Sequence, residues 1–186
     1  MARSGMANLL LRTRRIIDDI GTSIWTDNQL QDILDIHKSR VQQEYLEMEL
    51  TYLAANAYEY KVYHSRYENF EEGGTAYFNI EGADGTQRGT ADYTADYVHG
   101  IVTMTADQGG SALYLMGWTY DVNATAADCW RERATRVSSY YDVSADGHSI
   151  SRSQWFQHCM DAAAAFDKMS RPVTVRSWRG GIFNDL

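Results

Sequence analysis

"ALYLMGWTYDVNATAADCWRERATRV", residues 112–137, contains the change of rhythm on which the fold turns. Up to Asp121 the segment is rich in aromatic and branched residues and reads as a strand. Beyond it Ala127, Trp130, Ala134, Val137 and Tyr141 recur at intervals of three and four, which is one stripe of a helix. Downstream, Trp155, Cys159, Ala162, Phe166 and Met169 repeat that spacing. Two such seams joined by a short connection predict an antiparallel helical hairpin.

The connection contains "DVSADG", residues 142–147. Asp142, Ser144, Asp146 and Gly147 match the first half of an EF-hand-like calcium loop. Ser153 stands where such a loop needs a bidentate glutamate, so the segment is read as a turn at Asp146-Gly147. Ser151 with Gln154 resembles a capping box opening the second helix. Pro172 stops that helix and releases "VTVRSWRGGIFNDL".

Upstream, Leu9, Leu10, Thr13, Ile16, Ile17 and Ile20 form a helical stripe that Gly21 ends. Thr26 with Gln29 signals a second helix, whose buried face runs through Leu30, Ile33, Leu34, His37 and Val41. His37 on such a stripe is read as a core or interface residue. From about residue 44 the period becomes two, with Leu46, Met48, Leu50 and Tyr52 on one face. "YEYKVYHS", "TAYFNIE" and "DYVHGIVTMT" continue the strand pattern, divided by turns at 73–74, 82–85 and 109–110.

Charge divides the chain in the same way. Residues 1–40 carry six basic and five acidic groups, and residues 122–186 eight and seven. Residues 41–121 carry three basic and thirteen acidic groups, a net of −10, together with eleven of the thirteen tyrosines. The expected organisation is therefore α+β: an α-helical bundle (1–42 and 122–171), a β-rich acidic insertion (43–121) and an extended C-terminal docking tail (172–186).

No motif for catalysis stands out. There is no phosphate-binding glycine loop, no G-x-S-x-G elbow and no zinc spacing among His148, His158 and Cys159. Cys129 and Cys159 are read as small buried hydrophobes rather than ligands or a disulfide framework. No apolar run approaches the ~18 residues that span a bilayer, and "MARSGMANLLLRTRR" lacks the order of a secretory signal. An intracellular chain with reduced thiols, no cofactor and no membrane partner is expected. No basic helix suggests base-specific DNA reading.

Two stretches resemble the head-to-tail connector (portal adaptor) proteins of tailed bacteriophages. That family opens with a helix of the pattern W-x-D-x-x-L-x-x-x-L-D, approximated by Trp25, Asp27, Leu30, Leu34 and Asp35. Its later helix-turn-helix reads Y-D-x-S-x-D-G-x-S-x-S-R-S-Q, matched by Tyr141 to Gln154. The resemblance spans roughly residues 8–40 and 122–170. It implies a structural virion protein, without enzymatic activity, at the head-tail interface, assembled in the host cytoplasm. It also implies a homo-oligomeric ring, usually twelvefold, that binds the portal and the next neck or tail protein while DNA passes without sequence-specific binding. The tail residues Arg176, Trp178, Arg179, Ile182 and Phe183 would dock on the portal. Twelve copies would bring about 120 formal negative charges in the 41–121 segments, which would repel DNA if they line the channel. Two alternatives remain open: a neck stopper or tail-completion protein, and a small cytoplasmic enzyme of unknown reaction.

Overall fold

The computed structural model describes residues 2–53, 58–137, 143–145, 148–150 and 152–171. After a 3-10 turn, Ser4–Met6, come α1 (Ala7–Ile16) and α2 (Asp27–Ile36). Seven strands follow: β1 (Lys38–Tyr45), β2 (Glu47–Tyr52), β3 (Tyr58–His64), β4 (Phe78–Gly82), β5 (Tyr93–Asp96), β6 (Ile101–Met104) and β7 (Leu113–Tyr120). Then come α3 (Val122–Val137), a short ladder of β8 (Val143–Ala145) and β9 (His148–Ile150), and α4 (Arg152–Met169).

The expected helical bundle with a β-rich insertion is not what forms. The described residues form a mixed fold in which two antiparallel sheets, ordered β1-β7-β4 and β2-β3-β6-β5, carry seven strands beside four helices. The reason lies in β7. Its alternation sends Leu113 and Leu115 into one core with Val41, Phe70, Phe78, Ile80, Tyr63 and Val102. Its far end sends Tyr120 and the half-buried Trp118 into a second core with Met6, Leu9, Leu10, Leu30, Leu34, Ala126 and Cys129. A strand shared by both cores cannot belong to a separable elaboration. The expected extended tail, residues 172–186, lies outside the described residues.

Several boundaries move for local reasons. The α1 stripe stops at Ile16, leaving Ile20 exposed, because Asp18 and Thr22 adopt left-handed backbone. Buried Asp19 organises that loop: its carboxylate accepts N–H bonds from Ser23, Ile24 and Trp25 and pairs with Arg14 at 2.9 Å. The Thr26–Gln29 capping box is present on both sides. However, α2 ends at Ile36, His37 caps it, and Val41 is a buried residue of β1. Positions 37 and 41 fit a helical stripe by count alone.

The 44–52 alternation fails halfway. Leu46 is buried, but the ladder shifts register between Glu49 and Thr51, leaving Leu50 and Tyr52 exposed. "DYVHGIVTMT" is a hairpin corner and not one strand. Gly100, at φ +68°, turns the chain from β5 into β6, and a Cβ there would meet the Tyr67 carbonyl oxygen.

The helical hairpin is interrupted too. α3 ends at Val137, and β8 pairs with β9 across the 146–147 connection. Tyr141, Asp142, Asp146, Gly147 and Ser151 lie outside the described residues. α3 and α4 run antiparallel: Asn123, at the start of α3, bonds the Met169 carbonyl at the end of α4, while Trp130 meets His158. Small residues sit deepest, Ala127 and Ala134 on α3 and Cys159 and Ala163 on α4. Trp130 and Phe166 are half-buried, and the predicted seam residues Trp155 and Met169 are exposed.

Candidate assembly surfaces

The polar residues that sequence inspection leaves unassigned mostly hold the fold together. Arg3 joins three elements: its guanidinium bonds Asp35 of α2 at 2.7 and 2.8 Å and Glu71 at 2.8 Å, and reaches the Tyr120 hydroxyl at 3.0 Å. That hydroxyl donates to Glu71 at 2.5 Å. Glu71 is 2 % exposed, so its charge depends on these donors. The bond from Arg3 holds the Asp35 carboxyl below its ordinary range. His37, half-buried, bonds Asp128 of α3 at 2.6 Å, and Arg131 links Asp128 to Asp167 of α4. These contacts tie α2, α3 and α4 in series.

The acidity of residues 41–121 is also partly structural. Asp84 accepts N–H and hydroxyl bonds from Thr86, Asp107 accepts from Tyr60 and Gly109, and Asp96 accepts from Val98 and His99. These donors hold all three carboxyls below the usual range. Asp121 accepts the N–H groups of Asn123 and Ala124 and caps α3. Glu44 is buried and held by Ser65 and the Arg66 N–H. Among the described residues, no group of three or more His, Cys, Asp or Glu is placed to hold a metal ion.

Three surfaces remain that the packing of the described residues does not use. The first is the outer face of α4. Cys159, Ala163 and half-buried Phe166 turn towards α3 and the helical core. Phe156, Met160 and Ala164, spaced four apart on another face, are exposed, as is Trp155. Arg133 of α3 lies 4.9 Å from the Trp130 ring and 5.3 Å from that of Trp155, holding the base of this face.

The second surface is the outer edge of β1. Grooves of about 540 and 500 Å³ run along it, lined by every residue from Ile36 to Val41 and from Arg40 to Tyr45. Consecutive residues lining a groove mark a strand's edge; a strand face would contribute alternate ones. Arg171, two residues beyond α4, stands at one end of it. Its N–H bonds Asp121, and its guanidinium bonds Thr119 and the Glu68 carbonyl. The third surface is the outer edge of β2, which among the described residues pairs only with β3.

Of the residues singled out for docking, Arg176, Trp178, Arg179, Ile182 and Phe183 lie outside the described residues. The sequence hides the open α4 face because α4 is apolar on two sides, and the stripe from Trp155 to Met169 accounts for only one. It hides the β1 edge because Val41 continues the helical count of α2. Comparison with known proteins finds no match: no family model, no curated protein and no solved structure resembles the chain significantly.

Proposed function

We propose that this chain is a structural assembly subunit, a head-tail connector of a tailed bacteriophage, working in a ring between the portal and the next neck or tail protein. The observation that carries the reading is α4. The helix that begins at Arg152, within the Tyr141–Gln154 motif, leaves Trp155, Phe156 and Met160 41, 39 and 37 % exposed while burying its other side. An apolar surface of this kind costs solubility in an isolated chain and is stabilised when a partner covers it. In this reading α4 and residues 173–186, including Arg176, Trp178, Arg179, Ile182 and Phe183, form the portal-facing side. No residue performs catalysis, and DNA passes without base-specific contact. The neighbouring role, a stopper or tail-completion protein one layer lower, uses the same surfaces on a different partner.

The test is co-sedimentation with DNA-filled heads that carry portal but lack the connector. The parent chain is expected to sediment with the heads. A chain lacking 173–186, and one with Phe156→Ser and Met160→Ser, are expected to stay in the supernatant while keeping parental circular dichroism. Undiminished binding by both variants refutes the docking side. No binding by the parent, with binding to a purified neck component instead, moves the chain to the lower layer.

A further inference from the structure

The two open strand edges carry opposite charge. β1 is the end strand of its sheet and β2 of the other, and among the described residues no backbone group pairs with the outer side of either. On β1, Lys38 and Arg40 lie two apart and flank the Trp118 ring, at 5.4 and 5.7 Å from its centre. Arg66 and Arg171 line the same grooves. The acids that line them, Asp121 and Glu44, are occupied by backbone and hydroxyl donors. On β2, Glu47 and Glu49 are exposed and also two apart, and Glu49 holds His64 at 2.8 Å. Neither strand contains proline.

An open edge presents a row of free N–H and C=O groups that readily accept another strand. Charge then decides which one. Two β1 edges brought together place lysine and arginine against each other, and two β2 edges place four carboxylates together. A β1 edge against a β2 edge matches two cations with two carboxylates. Lys38 and Arg40 turn their backbone groups outward, since Trp118 and Tyr120 opposite them donate to Tyr77 and Asn69, whereas Glu47 and Glu49 pair inward with His64 and Val62. A parallel register therefore sets Lys38 and Arg40 opposite Glu47 and Glu49, with all four side chains on one face of the joined sheet.

We infer that copies of this chain associate by strand addition, the β1 edge of one receiving the β2 edge of another through Lys38 and Arg40 against Glu47 and Glu49. This unlike-edge contact joins two different surfaces, as a closed ring requires. As a ring-building contact it rests on the assembly reading above. The association itself is tested on the isolated full-length chain, so heads and portal play no part and the two readings fail separately.

The experiment is sedimentation velocity over a concentration series at low and high salt. The parent is expected to self-associate, with a dissociation constant raised about tenfold or more at high salt, where the charges are screened. Lys38→Glu with Arg40→Glu makes both edges acidic, and Glu47→Lys with Glu49→Lys makes both basic. Each variant alone is expected to sediment as a monomer. Mixed one to one they are expected to associate within about threefold of the parent's affinity, since every β1–β2 contact regains opposite charges. A monomeric parent overturns the inference, including the case where the chain's own residues 172–186 fill the β1 groove. So does undiminished self-association of either variant, or a mixture that stays monomeric while both variants keep parental circular dichroism. Should a reversal variant fail to fold, hydrogen exchange on the unaltered chain decides. Outward amides of residues 38–45 and 47–52 are expected to slow as concentration rises, and concentration-independent exchange in both strands overturns the proposal.

Discussion

Replacing Tyr120 by phenylalanine tests whether sheet and helices are one structure. The substitution keeps the ring, which is 1 % exposed, and removes only the hydroxyl that donates to Glu71 and accepts from Arg3. Glu71 retains the Arg3 Nε–H at 2.8 Å, so no buried charge is orphaned. The loss is that of a hydrogen bond to a charged group, about 1.5–3 kcal/mol. For a chain of this size that lowers Tm by roughly 3–12 °C. Arg3→Ala goes further, removing the cation that faces a nearly inaccessible carboxylate, and is expected to cost about 3–5 kcal/mol. Urea unfolding should be followed both by far-ultraviolet circular dichroism, which reports the helices, and by tyrosine and tryptophan fluorescence. Both probes are expected to shift together, because the Arg3 network joins α2, the Glu71 segment and the end of β7. The acid limb adds a second signature. Asp35, held low mainly by Arg3, contributes stability that is present above its ordinary value and is lost as pH falls through its depressed native value. Arg3→Ala should therefore lose less stability than the parent on acidification. Asp19 supplies the control: burial pushes its carboxyl up, but N–H donors from Ile24 and Trp25 hold it low without Arg3. A loss below about 0.5 kcal/mol for Arg3→Ala, or separate transitions for the two probes, refutes the reasoning.

Deleting residues 68–92 removes Phe70, Phe78 and Ile80 from the sheet core and Glu71 from its link to the helices, so helical circular dichroism should collapse; a remaining folded helical domain would show that the sheets are dispensable. Burial pushes the Cys129 thiol up to about 12 from an ordinary value of 9.0. Its neutral form therefore stabilises the native state fully below about pH 9, and that contribution falls by about 1.4 kcal/mol per pH unit as pH rises towards 12. Alkaline unfolding of Cys129→Ala should be correspondingly shallower than the parent's, and parallel curves would refute the assignment.

The clearest sequence signals were local ones. The Thr26–Gln29 box states its own geometry in four residues, and it forms as read. The switch at Asp121 is equally legible, because a side chain that accepts the N–H groups two and three residues ahead starts a helix wherever it stands. What failed depended on distant partners. Val41 obeys a helical count from Leu30 and Leu34, yet six of the residues from Lys38 to Tyr45, Val41 among them, pair with β7, whose strand lies some seventy positions away. Register shifts at 41–44 and 49–51 break the period of two without leaving a proline or glycine to announce them. The Arg3–Asp35–Glu71–Tyr120 network was invisible for the same reason: its members are spread over more than a hundred positions, and each alone reads as a solvated charge or a surface tyrosine.

The composition shift near residue 42 illustrates how a real signal can carry the wrong meaning. A change from balanced to strongly acidic sequence ordinarily marks a boundary between units. Here the division falls inside β1, a strand that starts immediately after the α2 cap and is separated from β2 by one residue. Lys38 and Arg40 stand on one side of the change and Glu47 and Glu49 on the other, separated by the buried corner residue Leu46. Packing cannot require that polarity, since all four side chains sit at the surface of strands whose inner neighbours already fix the register. Many of the remaining acids do have internal work: Asp84, Asp96, Asp107 and Asp121 close turns or a helix, and Glu44 and Glu71 hold buried donors. Of the acids left, Glu47 and Glu49 are the two that stand on a strand edge unpaired among the described residues, opposite in sign to Lys38 and Arg40 on the other. Opposite charge on two open strand edges is where recognition by another chain acts at least cost to the fold.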